Sequence, residues 1–156
     1  MDNDESSGRD GLIRACAAYR GSPPDIAAAR DLTQEFLARV QSVHGLLLAP
    51  PTADAVRLVV SELVTNACKH TSGPCVLELR ADRSAVKVVV SDAEPVLPVI
   101  EEADPRRVGR HGLEIVLSLC DRLTFDRTPV GKCVTAVVPL PSRPSRGSMR
   151  RAAWPP

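Results

Sequence analysis

The stretch ADAVRLVVSELVTNACKHT, Ala53 to Thr71, repeats its apolar residues every three or four positions. That spacing predicts an amphipathic helix with one buried stripe. At about 100° per residue, Val56, Val60, Leu63, Val64 and Ala67 share an arc and belong in a core. Asp54, Arg57, Ser61, Thr65 and Cys68 share the opposite arc, the natural solvent face. Glu62 and Asn66 belong to neither: one helical turn apart, they point the same way, flanked by Leu58 and Val59. A carboxylate and a carboxamide set beside apolar surface cost free energy unless something satisfies them. One reading is a structural pair that caps a strand or bonds a backbone amide. The other is a cleft wall, with Asn66 giving an oxygen to Mg²⁺ and Glu62 orienting or deprotonating an attacking hydroxyl or water. The helix alone leaves both open.

Outward from this helix, turn signals divide the chain. Pro50-Pro51-Thr52 precedes it, with Thr52 expected as N-cap, and Ser72-Gly73-Pro74 stops it. Upstream, Leu12 to Tyr19 alternates as a strand and ends at Gly21-Ser22-Pro23-Pro24. An amphipathic helix follows from Asp25 to about Val43, with Ile26, Ala29, Leu32, Phe36, Leu37 and Val40 inward. Downstream, Cys75 to Arg80 and Ala85 to Ser91 form a hairpin across Ala81-Asp82-Arg83-Ser84. Proline and charge then mark a surface loop from Asp92 to Arg110. A third helix is expected from Gly112 to Asp121, with Leu113, Val116, Leu117 and Cys120 on one side. Two last strands, Leu123 to Asp126 and Lys132 to Leu140, flank the turn Pro129-Val130-Gly131. The expected fold class is an α/β (α+β) two-layer sandwich, helices on one face of a mostly antiparallel sheet. Residues 1–11 and 142–156 read as disordered tails, the second carrying Arg143, Arg146, Arg150 and Arg151, around a domain spanning 12–141.

Composition narrows the function. A net charge of +1 over 156 residues gives no global case for nucleic acid or membrane binding, and 3% aromatics provides few platforms for stacking bases. No run approaches the roughly 20 apolar residues that span a bilayer. The polar start lacks the features of a signal peptide, so a cytoplasmic location is expected. Five cysteines, Cys16, Cys68, Cys75, Cys120 and Cys133, are scattered without CxxC spacing and read as reduced thiols. Cys68, His70 and Cys75 lie close together, but a fourth zinc ligand and regular spacing are missing.

Two further features bear on chemistry. Asp92 follows the strand Val88-Val89-Val90-Ser91, where an acid can face a cleft. Gly109-Arg110-His111-Gly112 leads into the third helix, where close backbone approach and free N–H groups suit a phosphate. Lys69, one turn beyond the Glu62/Asn66 pair, has the reach for a phosphate, though a lysine at a helix end is more often a solvated charge.

Together Glu62-Leu63-Val64-Thr65-Asn66-Ala67-Cys68-Lys69-His70, Val90-Ser91-Asp92 and Gly109-Arg110-His111-Gly112-Leu113-Glu114-Ile115-Val116 resemble the GHKL ATPase superfamily. Within it they are most similar to the small stand-alone anti-sigma-factor serine/threonine kinases. The resemblance covers roughly Leu12 to Pro141. It implies the Bergerat fold, with ATP and Mg²⁺ as cofactors, Glu62 as general base and Asn66 as Mg²⁺ ligand. It also implies that Asp92 accepts a hydrogen bond from the adenine amino group, and that Gly109, Gly112 and the amides near Leu113 hold phosphates. Such proteins regulate transcription by phosphorylating a serine on a small antagonist protein and sequestering a sigma factor; they are often homodimers. Two departures stand out. Ala93 follows Asp92 where the motif has glycine, and Gly131-Lys132 stands where the last hairpin has Gly-Thr, with Thr135 three residues later. A sensor histidine kinase is disfavoured by the short lid and the lack of a phosphoacceptor helix. The rival from another class is a module that sequesters a regulator without transferring phosphate.

Overall fold

The computed structural model describes residues 11–70, 73–93 and 112–141. The expected tails and most of the Asp92 to Arg110 loop, with Gly109, Arg110 and His111, lie outside the described residues. The elements are β1 (Ile13–Tyr19), α1 (Pro24–His44), α2 (Pro50–His70), β2 (Cys75–Ala81), β3 (Ala85–Asp92), α3 (Gly112–Leu119), β4 (Arg122–Thr128) and β5 (Gly131–Pro139). Five strands form one sheet in the order β1-β2-β3-β5-β4, and every pairing is antiparallel. The expected α/β sandwich is the one found.

Alternation along the strands puts Leu77, Leu79, Val86, Val88, Val90, Val134, Ala136 and Val138 in the core. Over this face α1 packs on β1 and β2, α2 on β3, β5 and β2, and α3 beside α2 and β4. With so few aromatics the core is aliphatic, and Phe36 is the one fully buried aromatic ring among the described residues. The other face of the sheet carries charge: Arg14 bonds Glu78 at 3.0 Å, and Arg80 pairs with the same carboxylate.

Several expected boundaries moved for identifiable reasons. Thr52 is not the cap of α2. The helix begins at Pro50, and the amides of Thr52 and Ala53 both bond the Ala49 carbonyl, at 3.0 and 3.2 Å. Proline suits a first turn because its φ is preset and its missing N–H is not needed there. Helix α1 likewise starts at Pro24, and the Asp25 carboxylate reaches back to the amides of Gly21 and Ser22, both at 2.9 Å. Its other end closes on Gly45 in the left-handed region (φ 61°), whose N–H bonds the Gln41 carbonyl. Helix α3 stops at Leu119, because the Asp121 amide turns to the Val137 carbonyl of β5 at 2.8 Å. Leu117, expected inward, is exposed, whereas Val116 is buried. No helix among the described residues is long and apolar enough to cross a membrane.

Candidate functional site

Helix α2 is covered on its sides as well as its base, and this sorts the arcs read from the sequence. Val56, Val59, Val60, Leu63, Val64 and Ala67 are buried. Ser61, expected on the solvent face, is buried under α1 and accepts a hydrogen bond from Arg30 Nε at 3.0 Å. Arg57 on the same side bonds Gln34 at 2.9 Å and Asp54 at 2.8 Å. A shallow polar groove lies along this α1–α2 seam, lined in part by Arg30, Asp31, Gln34 and Arg57. With α1 on the Arg57/Ser61 side, the arc of Glu62 and Asn66 is turned away from it. Both residues are half-buried: neither is sealed in the core nor fully in water. Lys69 is exposed.

The sheet supplies the second wall. Its inward row at one end runs Tyr19, Cys75, Asp92, Lys132, each residue the cross-strand partner of the next. All four are buried. Helix α2 packs over β2, β3 and β5, the strands that carry Cys75, Asp92 and Lys132 of this row. Burial, then the neighbouring charges of Cys68, Asp25 and Asp92, push the Cys75 thiol up to about 11. Burial also raises Cys68 and Tyr19. A thiol held neutral in this way is a packing residue and a poor metal ligand.

Asp92 closes β3 as the last residue of the strand, one position beyond the expected end at Ser91. Its carboxylate is met by Lys132: Nζ lies 3.1 Å from Oδ2, and the two side chains are each 2% exposed. Gly131, next to that lysine, sits where no side chain fits. A Cβ there would lie 1.9 Å from the Asp92 carbonyl oxygen and 2.6 Å from Ala93 Cα. Lys132 was legible in the sequence only as a departure from a motif. The signal that would have found it is the period-two pattern Lys132, Val134, Ala136, Val138, which places the lysine on the buried face.

The other expected site residues are spread unevenly. Gly112 opens α3, and Leu113 is half-buried beside it. Gly109, Arg110 and His111, expected to cradle phosphate, are outside the described residues, as are the side chain of His70 and residues 71 and 72.

The family profile of the histidine kinase-like ATPase domain matches residues 21–138, which runs from the start of α1 through β5. The chain belongs to this family. Histidine kinase-like ATPase domains bind ATP, usually with Mg²⁺. Among solved structures, the RsbU and RsbW domains of Rv1364c from Mycobacterium tuberculosis align over 86% of this chain at 17% identity, with a TM-score of 0.58. This chain spans 34% of that one, and the likeness is one of fold. The histidine kinase domain of the blue-light activated histidine kinase from Erythrobacter litoralis EL346 aligns over 72% of this chain and 61% of its own, at 22% identity and a TM-score of 0.43. No curated protein matches.

The residues present fit the two ends of Mg-ATP differently. Asn66 and Glu62 offer oxygen atoms on a part-exposed arc, as a phosphate-bound Mg²⁺ requires. At the other end, the carboxylate expected to accept from adenine is already ion-paired with the Lys132 ammonium.

Proposed function

We propose that this histidine kinase-like ATPase domain is an ATP-binding regulatory protein of the anti-sigma-factor type, a serine/threonine kinase that phosphorylates a small antagonist protein. The observation that carries the reading is the position of Glu62 and Asn66. They lie one turn apart on α2, turned away from α1, half-buried, on the helix that packs over the two strands carrying Asp92 and Lys132. Residues of those types in that setting match what phosphoryl transfer needs, which is positioning and charge neutralisation more than covalent chemistry.

In this reading Asn66 gives its side-chain oxygen to the metal, and Lys69, Gly109, Arg110, His111 and the amides of Gly112 and Leu113 are the groups assigned to the phosphates. Bound Mg-ATP supplies the phosphoryl group and the cation that neutralises its charge. Glu62 accepts the proton of the attacking serine hydroxyl. A sigma factor and its antagonist are the expected partners, with no direct role for nucleic acid or membrane.

The test is Glu62→Gln, assayed with Mg-ATP and candidate antagonist proteins. Transfer is expected to fall by about 10²–10⁴-fold, the usual contribution of a general base, with nucleotide affinity held within about twofold. Undiminished transfer removes the general-base assignment. The second reading is a non-catalytic module that sequesters a sigma factor or another regulator. The Lys132–Asp92 pair favours it, because it engages the carboxylate that adenine recognition requires. That reading predicts partner binding by the wild-type chain with no transfer at all.

A further inference from the structure

Lysine at position 132 is held in place by the fold. It is the second residue of β5, directly across from Asp92 in the register of the two central strands. The backbone of Gly131 is packed against Asp92 and Ala93 so closely that no Cβ would fit. The lysine stem leaves the sheet on the core side, in line with Val134, Ala136 and Val138, and its ammonium ends 3.1 Å from Asp92 Oδ2 with almost no exposure. An ammonium–carboxylate contact of this kind is charge-assisted, whereas an adenine amino group is a neutral donor. To take that oxygen, a base would have to displace the stronger donor and leave a buried ammonium without its counter-ion.

We propose that Lys132 is the specificity-determining residue of the base subsite: its ammonium occupies the Asp92 acceptor that an adenine amino group needs, so the wild-type chain is closed to adenine-specific recognition. The proposal rests on the nucleotide-site reading given above and concerns the same site. Two consequences follow from the chemistry. Wild-type affinity for ATP is weak and comes from the triphosphate and metal, so it is nearly the same for ITP, which has an oxygen where ATP has the amino group. Removing the ammonium takes the competing cation away from Asp92 Oδ2 and restores a preference for ATP.

The experiment is calorimetric titration of the full chain with Mg-ATP and with Mg-ITP, in the wild type, in Lys132→Thr and in Asp92→Asn/Lys132→Thr. The double variant removes both buried charges together, so it keeps the comparison available if the single variant fails to fold; its amide oxygen still accepts from an amino group. The expected result is that ATP and ITP bind the wild type within about threefold of each other. ATP affinity should rise at least about tenfold in a folded variant, roughly the effect of one good hydrogen bond, and ITP affinity much less. If the wild type already prefers ATP over ITP strongly, or if neither variant gains, the Lys132 proposal is overturned while the nucleotide site stands. If no form of the chain binds either nucleotide, the nucleotide-site reading fails, and this proposal with it.

Discussion

At the scale of single residues, the most informative are those the strand pattern places on the wrong side of the polarity rule. Lys132 and Asp92 are charged and buried, and they form an ion pair. Removing one member of such a pair leaves the other's buried charge less compensated, so Lys132→Ala is expected to lower unfolding free energy by roughly 3–5 kcal/mol. Asp92→Asn/Lys132→Thr should cost clearly less, and equal losses in urea titrations would mean that the pair is hydrated. Gly131→Ala should cost about 1–3 kcal/mol by overpacking, because its Cβ would meet the backbone of Asp92 and Ala93; an unchanged midpoint would show that β5 can shift. Cys75 gives a pH prediction. Its folded value is raised to about 11 from an ordinary 9, so the folded state favours the neutral thiol. The resulting stability is present below pH 9 and is lost as pH climbs through about 11. The melting temperature should fall across that interval, and less steeply in Cys75→Ala. Some slope will remain, since burial raises Tyr19, Cys68 and Cys120 in the same direction. At this scale the sequence spoke through residue type: Glu62, Asn66 and Asp92 are legible because a polar residue amid apolar neighbours demands an explanation. The Lys132 contact was not, because it is made only when β3 and β5 align.

At the scale of elements, α2 shows what periodicity can and cannot say. The core arc was legible because burial on the sheet follows directly from the spacing of valines and leucines. The supposed solvent arc was only half right: α1 lies along it, buries Ser61 and engages Arg57. A helix wheel has no knowledge of a second helix, and short polar side chains serve a helix–helix seam as well as they serve water. The same limit explains Leu117, which the wheel of α3 placed inward and the fold leaves exposed. Adjacent residues of α2 give a direct check on its facing. Val59 is fully buried, whereas Leu58 is 38% exposed. Val59→Ala should therefore destabilise by about 2–3 kcal/mol through lost transfer energy and the cavity left behind. Leu58→Ala removes a larger group and should still cost about 1 kcal/mol or less. A reversed order in denaturant unfolding would mean that α2 is rotated, and the Glu62/Asn66 arc with it.

At the scale of the whole molecule, an antiparallel sheet covered on one face concentrates stability in its middle. Strands β3 and β5 are paired on both sides and lie under α2, whereas β4 is an edge strand with a largely half-exposed pattern. The one-sided layering was legible from alternating strands and amphipathic helices. The strand order, which brings β5 in beside β3 and sends β4 to the edge, was not, because no local signal records which strands pair. That order places Asp92 and Lys132 on two adjacent inner strands, while α3 packs beside α2 and β4 lies at the edge. Backbone amides of β3 and β5 should therefore exchange with deuterium only at the rate of global unfolding, and those of α3 and β4 should exchange earlier through local opening. A base subsite on the central strands would then be set by their register, while any adjustment to nucleotide would fall on the α3 side. Equal protection across β3, β5, α3 and β4 would contradict this division and place the site in a single cooperative unit.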